Sequence, residues 1–237
     1  MAVGRPGLQR LLLEHDGFRL LIDPGYAVLP RLLRLMDAAD VDAVLVSHRH
    51  PDHCADLNPL LRARALRDDV VPAPALPVFA LPGALDAVLA LDRPGLLDDA
   101  FALHAFEAGE SFVIGPLAVA SRTLPHSVPN AGVRLTGGDR SLVYTGDAAP
   151  DPALVELARG AEVLLAEASF VDEVPDRKPT LSSARDAGQQ ASAAGVGTLV
   201  LTHLLPGTDR RQSAAAARER FGGPIRVARP GVRLALG

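Results

Sequence analysis

Ser47-His48-Arg49-His50-Pro51-Asp52-His53 gathers three of the chain's seven histidines and a carboxylate into one short stretch. Imidazole is the commonest side-chain ligand for borderline transition metals, and a nearby carboxylate can complete a second site or handle protons. Packing needs no such clustering, because histidine is a mediocre core residue. The stretch follows Val41-Asp42-Ala43-Val44-Leu45-Val46, an apolar run that reads as a strand, so the cluster stands at a strand end.

Outward from the cluster, other metal-ligand types also stand where strands end. Phe18 to Asp23 is a strand stopped by Pro24-Gly25, which leaves Asp23 at its tip. It pairs with Leu8 to Glu14 across His15-Asp16-Gly17, whose Asp-Gly is a hairpin signal. His126 follows the strand ending at Leu124, with Ser127 and Asn130 close behind as candidate substrate contacts. Asp147 follows Tyr144-Thr145-Gly146, and His203 follows Leu199-Val200-Leu201-Thr202. Alone, each of these reads as a turn or hydrogen-bonded residue; their order beside the cluster gives them weight.

Between these points, helices are expected over 29–38, 54–66, 83–91, 152–159, 182–194 and 213–221. Strands are expected at 77–81, 163–167 and 198–202, with a closing strand near 225–228 or 232–236. From Phe101 to Tyr144 the short alternating runs (101–106, 112–114, 117–123, 132–136, 141–144) read as antiparallel strands. The Pro-rich stretch 68–77 reads as a loop. Each half gives strands first and then alternating strands and helices, the pattern of a sheet-on-sheet core with helices outside. Neither a repeat nor a linker divides the chain, so one domain over 1–237 is expected.

Composition narrows the class. In 237 residues, 48% are apolar and only 4% aromatic, so the core must be built from Leu, Val and Ala. A net charge of −4 argues against a general nucleic-acid surface. Cys54 is the only cysteine, which excludes an intramolecular disulfide and fits a reducing compartment. Every apolar run is interrupted short of a membrane span, and the first ten residues lack a signal-type apolar core. The expectation is a cytoplasmic protein without a membrane partner.

Asp23, His48-x-His50-x-Asp52-His53, His126, Asp147 and His203 together resemble the motif series of the metallo-β-lactamase-fold hydrolases. Tyr144-Thr145-Gly146-Asp147, Leu165-Ala166-Glu167-Ala168-Ser169-Phe170 and Thr202-His203-Leu204 are most similar to the ribonuclease Z and cyclic-nucleotide phosphodiesterase branch. The resemblance implies an α/β fold, a four-layer αββα sandwich with two metals in the cleft. It implies that His48, His50 and His126 hold one metal, that Asp52, His53 and His203 hold the second, and that Asp147 bridges them. Asp23 would orient a metal-bound histidine, and Asp52 and Glu167 would serve in catalysis. The histidine-rich donor set favours two zinc ions, with manganese and iron left open.

The implied activity is hydrolysis by a metal-bound hydroxide at a dinuclear centre, acting on a small anionic ester such as a nucleotide phosphodiester. A lactonase or thioesterase with the same centre, or a non-catalytic metal- and ligand-binding protein, stays open. Two departures stand out. That branch carries a histidine after the Glu167-like strand as its proton-relay partner; here the position falls on Leu181, and no histidine lies between His126 and His203. Met1–Gly7 also lacks the pattern of the usual N-terminal edge strand. Either that edge strand is absent or the start of the reading frame is misplaced; its absence would leave the 8–14 strand open and could lead to a homodimer. There is no long Gly/Pro-rich arm of the kind that grips tRNA, so a small-molecule substrate is expected.

Overall fold

The computed structural model describes residues 11–66, 73–229, 231, 234 and 235. The 1–7 edge-strand question and the 232–236 strand alternative therefore fall wholly or mainly outside the described residues, as does half of the 68–77 loop. The chain forms two compact units. One comprises 8–107 with 114–116, and the other includes 108–113 and the chain from 117 onward.

The first unit is built on β1 (Leu11–His15), β2 (Phe18–Ile22), β3 (Ala43–Val46), β4 (Leu76–Ala80) and β5 (Phe101–Ala105), hydrogen-bonded in that order. β1 and β2 form an antiparallel hairpin. Asp16 at φ 49° and Gly17 at φ 82° supply the two left-handed residues that a tight hairpin of matching twist requires. From β2 onward the strands run parallel. β5 thus departs from the antiparallel reading of 101–106. The 20 residues of helix and turn between β4 and β5 are enough for a crossover, and alternation alone does not encode direction. All four residues of β3 are buried, as expected of a central parallel strand.

Helices in this unit are shorter than the sequence suggests. The 29–38 segment contains only α1 (Leu29–Leu32), because Asp37 starts a separate 3-10 turn at Ala38–Asp40 by capping Ala39 N–H. The expected 54–66 helix begins earlier and is split. α2 (Pro51–Cys54) starts inside the histidine cluster with proline at its first position, where its missing N–H costs nothing. α3 (Leu57–Ala65) follows, and α4 (Asp86–Leu89) retains only one turn of 83–91.

The other unit carries β6 (Ser111–Ile114), β7 (Leu117–Thr123), β8 (Ala131–Gly137), β9 (Arg140–Tyr144), β10 (Val163–Glu167), β11 (Thr198–Thr202) and β12 (Ile225–Val227). The sheet order is β12-β11-β10-β9-β8-β7-β6. β7, β8 and β9 are antiparallel, while β9 to β12 are parallel and alternate with α5 (Pro152–Ala158), α6 (Ala184–Ala194) and α7 (Arg210–Arg218). Ser183 and Asp186 form a capping box on α6, and Asp209 caps α7, which begins three residues before the expected start at 213.

The core of this unit is Leu, Val and Ala with little aromatic content: Leu164, Leu199 and Leu201 are fully buried among alanines of α6 and α7. Small side chains let those helices approach closely. A Cβ on Gly188 would lie 2.5 Å from the Ala217 carbonyl oxygen. No helix of the described residues is long and apolar enough to cross a membrane.

Candidate metal centre

In the first unit the parallel strands deliver site residues from their C-terminal ends. Asp23 directly follows β2, and its N–H bonds to the Leu45 carbonyl of β3 at 2.9 Å. Its backbone is left-handed at φ 50°, a costly conformation for a residue with a side chain. The carboxylate it positions is 1% exposed. It accepts from Ser47 N–H at 2.7 Å, from Ser47 Oγ at 2.6 Å and, with Nδ1 protonated, from His53 at 2.7 Å. Burial by itself would raise the Asp23 carboxyl. The adjacent His53, by charge and hydrogen bond, with His48 and Ser47 in support, holds it below the usual carboxylate range.

Ser47 extends this arrangement to a second imidazole. Its hydroxyl donates to Asp23 and so faces His48 Nδ1, 3.0 Å away, as an acceptor. With Nδ1–H on the serine, His48 presents an unprotonated Nε2, which lies 3.1 Å from His50 Nδ1. Asp23, His48 and His53 offer ligand atoms within 4.8 Å of one another. The sharp approach that sets this turn depends on Gly25. A Cβ there would overlap the Asp52 carbonyl group. Asp52 itself has a side chain 32% exposed and stands 3.6 Å from His53 Nε2.

The other unit supplies His126, Asp147, Glu167 and His203. His126 follows β7, and its Nδ1 lies 3.1 Å from the Thr180 carbonyl, so that nitrogen carries the proton and Nε2 is the available donor atom. Asp147 comes after Gly146, whose φ of 58° turns the chain at the end of β9. His203, at the end of β11, is itself left-handed at φ 53°. Its Nε2 lies 3.2 Å from Asp147 Oδ2.

Glu167 is 1% exposed. It accepts from Ala148 N–H at 2.5 Å, Ser182 N–H at 3.2 Å and Ser169 Oγ at 2.7 Å. Burial first, and the Asp147 charge second, push its carboxyl up; His203, Ser169 and Ser182 pull against them. Ser169 Oγ also lies 2.8 Å from His203 Nδ1. The segment where a relay histidine was sought thus contributes through its backbone: Thr180 O to His126 and Ser182 N–H to Glu167, on either side of Leu181.

These donors fit a cation. Four imidazoles have Nδ1 occupied by a serine, a carboxylate or a carbonyl, which leaves Nε2 as the ligand atom. With its Nδ1–H on Ser169, a neutral His203 presents its Nε2 lone pair beside Asp147 Oδ2, 3.2 Å away, where a cation would join the two.

Other polar residues fall elsewhere. Asn130 is 1% exposed and donates to the Thr145 carbonyl, bracing the strand end before Asp147, whereas Ser127 is exposed. His104 stacks on Phe79, ring centroids 4.7 Å apart. Arg62 pairs with Asp92, whereas Arg64 is 4% exposed and donates to the carbonyls of Ala38, Val41 and Pro74. Ser47 and Ser169 were not singled out by sequence reasoning. A serine beside a buried carboxylate carries no pattern, and only a histidine's second nitrogen, which always needs a partner, hints at such residues.

Comparison with known proteins gives a consistent picture. The family model described as "Beta-lactamase superfamily domain" matches residues 18–204. Uncharacterized protein ML1173 of Mycobacterium leprae is 37% identical over 232 residues, covering 93% of this chain and 79% of its own length. Ribonuclease Z of Mycobacterium marinum is 30% identical over 245 residues, covering 91% and 88%. Among solved structures, the metallo-beta-lactamase fold protein YhfI from Bacillus subtilis matches with a TM-score of 0.87 and 26% identity, over 98% of this chain and 92% of that one.

Proposed function

The chain belongs to the beta-lactamase superfamily as a metallo-hydrolase, and we propose that it hydrolyses a small anionic ester, foremost a nucleotide phosphodiester, at a dinuclear zinc centre. In this reading the chain works as one catalytic domain. As the resemblance implies, His48, His50 and His126 would hold one ion, Asp52, His53 and His203 the other, and Asp147 would serve both. The observation that carries the reading is the shared arrangement of four imidazoles, each with Nδ1 engaged and Nε2 left as a donor. A nitrogen and oxygen donor set without thiolate suits zinc in a hydrolytic role.

Two zinc ions, when bound, activate a water as nucleophile and neutralise charge on the ester's oxygens. The protein's own residues do the rest. Asp23 and Ser47 fix His53 and His48, so the donor atoms are in place before substrate arrives. Asp52 alone among the four carboxylates is substantially open to solvent: its side chain is 32% exposed, whereas Asp23, Asp147 and Glu167 are at most 3% exposed as residues. It is therefore the group that orients the attacking water and passes a proton to the leaving oxygen.

Support for a phosphodiester comes from the 30% likeness to ribonuclease Z. The net charge of −4 favours a small substrate over a polynucleotide. The test is a panel of bis(p-nitrophenyl) phosphate, cyclic nucleotides, acyl-homoserine lactones and nitrocefin, with zinc present and after chelation. Zinc-dependent cleavage of the phosphodiesters above the other classes is expected. Preferential lactone turnover would assign the lactonase reading. Full zinc occupancy without any turnover would favour a non-catalytic ligand-binding role.

A further inference from the structure

Glu167 has a serine rather than a histidine as its side-chain partner. Ser169 Oγ donates to Glu167 Oε1 at 2.7 Å and lies 2.8 Å from His203 Nδ1. A hydroxyl has one proton, and here it goes to the carboxylate. The oxygen facing His203 is then an acceptor, so Nδ1 must carry the imidazole proton and Nε2 must be bare. The same sequence of atoms occurs in the first unit, where Asp23 accepts from Ser47 at 2.6 Å and Ser47 Oγ lies 3.0 Å from His48 Nδ1. One carboxylate–serine–imidazole chain stands after β2 and β3, and another after β10 and β11.

We infer that Ser169 is a positioning residue that relays the Glu167 carboxylate to His203, fixing that ring's tautomer and aim and thereby setting zinc affinity at the ion His203 holds. The inference rests on the reading of His203 as a ligand. It also assigns Glu167 a role that requires no histidine at position 181. Ser169 is fully buried, and Glu167 is held from two further sides by Ala148 and Ser182 N–H groups, so the carboxylate is a fixed anchor. His203 sits in a left-handed backbone conformation at φ 53°, and its carbonyl is 3.2 Å from the same serine oxygen. Ser169 therefore touches both ends of the residue it holds. Removing the hydroxyl leaves the imidazole free to present Nδ1–H or Nε2–H, and only the first can bind metal through Nε2.

The experiment compares wild type, Ser169→Ala and Ser169→Thr by zinc competition against a chromophoric chelator, with the His203 Nδ1–H resonance followed by NMR in the zinc-loaded proteins. Wild type should show a slowly exchanging Nδ1–H. Ser169→Ala should lose that protection and bind the weaker of its two zinc ions about 10- to 100-fold less tightly. Ser169→Thr, which keeps the hydroxyl, should restore both. A Ser169→Ala protein with unchanged zinc affinity overturns the inference, whatever its resonance does. So does a wild-type Nδ1–H that exchanges freely, a result that needs no variant to fold. Failure of the metal-centre reading is distinct, because the wild type itself would then bind no zinc.

Discussion

The Asp23 carboxylate meets Nδ1 of His53 at 2.7 Å with both side chains withdrawn from solvent. The same carboxylate takes the Ser47 hydroxyl, so it orients His53 directly and His48 at one remove. Asp23→Asn keeps the shape but gives up the charge and one acceptor. It should weaken zinc binding about 10- to 100-fold, measured by chelator competition, with the far-ultraviolet circular dichroism unchanged.

The pH dependence of that contact has a definite sign. His53 holds the Asp23 carboxyl below its ordinary value of 3.8, so the carboxylate's contribution to stability is complete above 3.8 and is lost as pH falls through the lowered folded value. In the metal-free protein, the stability difference between wild type and Asp23→Asn should stay constant down to about pH 4 and shrink below it. Thermal unfolding of both proteins across pH 3 to 6 reads this directly. A difference that shrinks already above pH 5 contradicts it.

Gly25→Ala tests the close approach beneath the histidine turn. The added methyl would occupy the position of the Asp52 carbonyl, so either the 23–28 loop or the turn must move. Zinc affinity should fall at least about 10-fold, while Gly17→Ala, with open space at its own Cβ, should leave zinc binding alone and cost only hairpin stability.

Cys54 is buried, with its thiol against the His50 carbonyl. Burial first, then the charges of Asp23 and Asp52, push the thiol up to about 11. At pH 8 only about one thiol in a thousand is ionised at that value. Iodoacetamide should leave the native metal-free protein essentially unlabelled over a time that fully alkylates it in urea.

Arg64 joins α3 to the carbonyls of Ala38, Val41 and Pro74 from a buried position. Arg64→Met fills similar volume but takes the guanidinium from three carbonyls, of which, among the described residues, only Ala38 keeps another donor, the Val41 N–H, and should cost about 3 kcal/mol in denaturant unfolding. Arg62→Met, which removes an exposed partner of Asp92, should cost under about 1 kcal/mol.

The sequence carried much of the fold because strand signals here are local. Alternation located β7 to β9, and the apolar runs at 163–167 and 198–202 became buried parallel strands. Direction was not legible: β5 alternates like its neighbours yet runs parallel to β4. The 29–38 helix is cut short where Asp37 caps a separate turn, and α7 begins ahead of 213 because Asp209 caps it there.

At the site, residue type made the imidazoles and carboxylates visible, and the strand ends at Asp23, Asp147 and His203 gave their placement. What hid was the support. Ser47 and Ser169 act through a single oxygen each, and Arg64 looks in sequence like any helix-surface arginine.

The central claim is tested most directly by counting metal. Protein saturated with zinc and freed of loose ions by gel filtration should retain two equivalents per chain by atomic emission. His48→Ala with His50→Ala, and separately His53→Ala with His203→Ala, should each reduce that number to about one. Wild type that retains well under one equivalent contradicts the account.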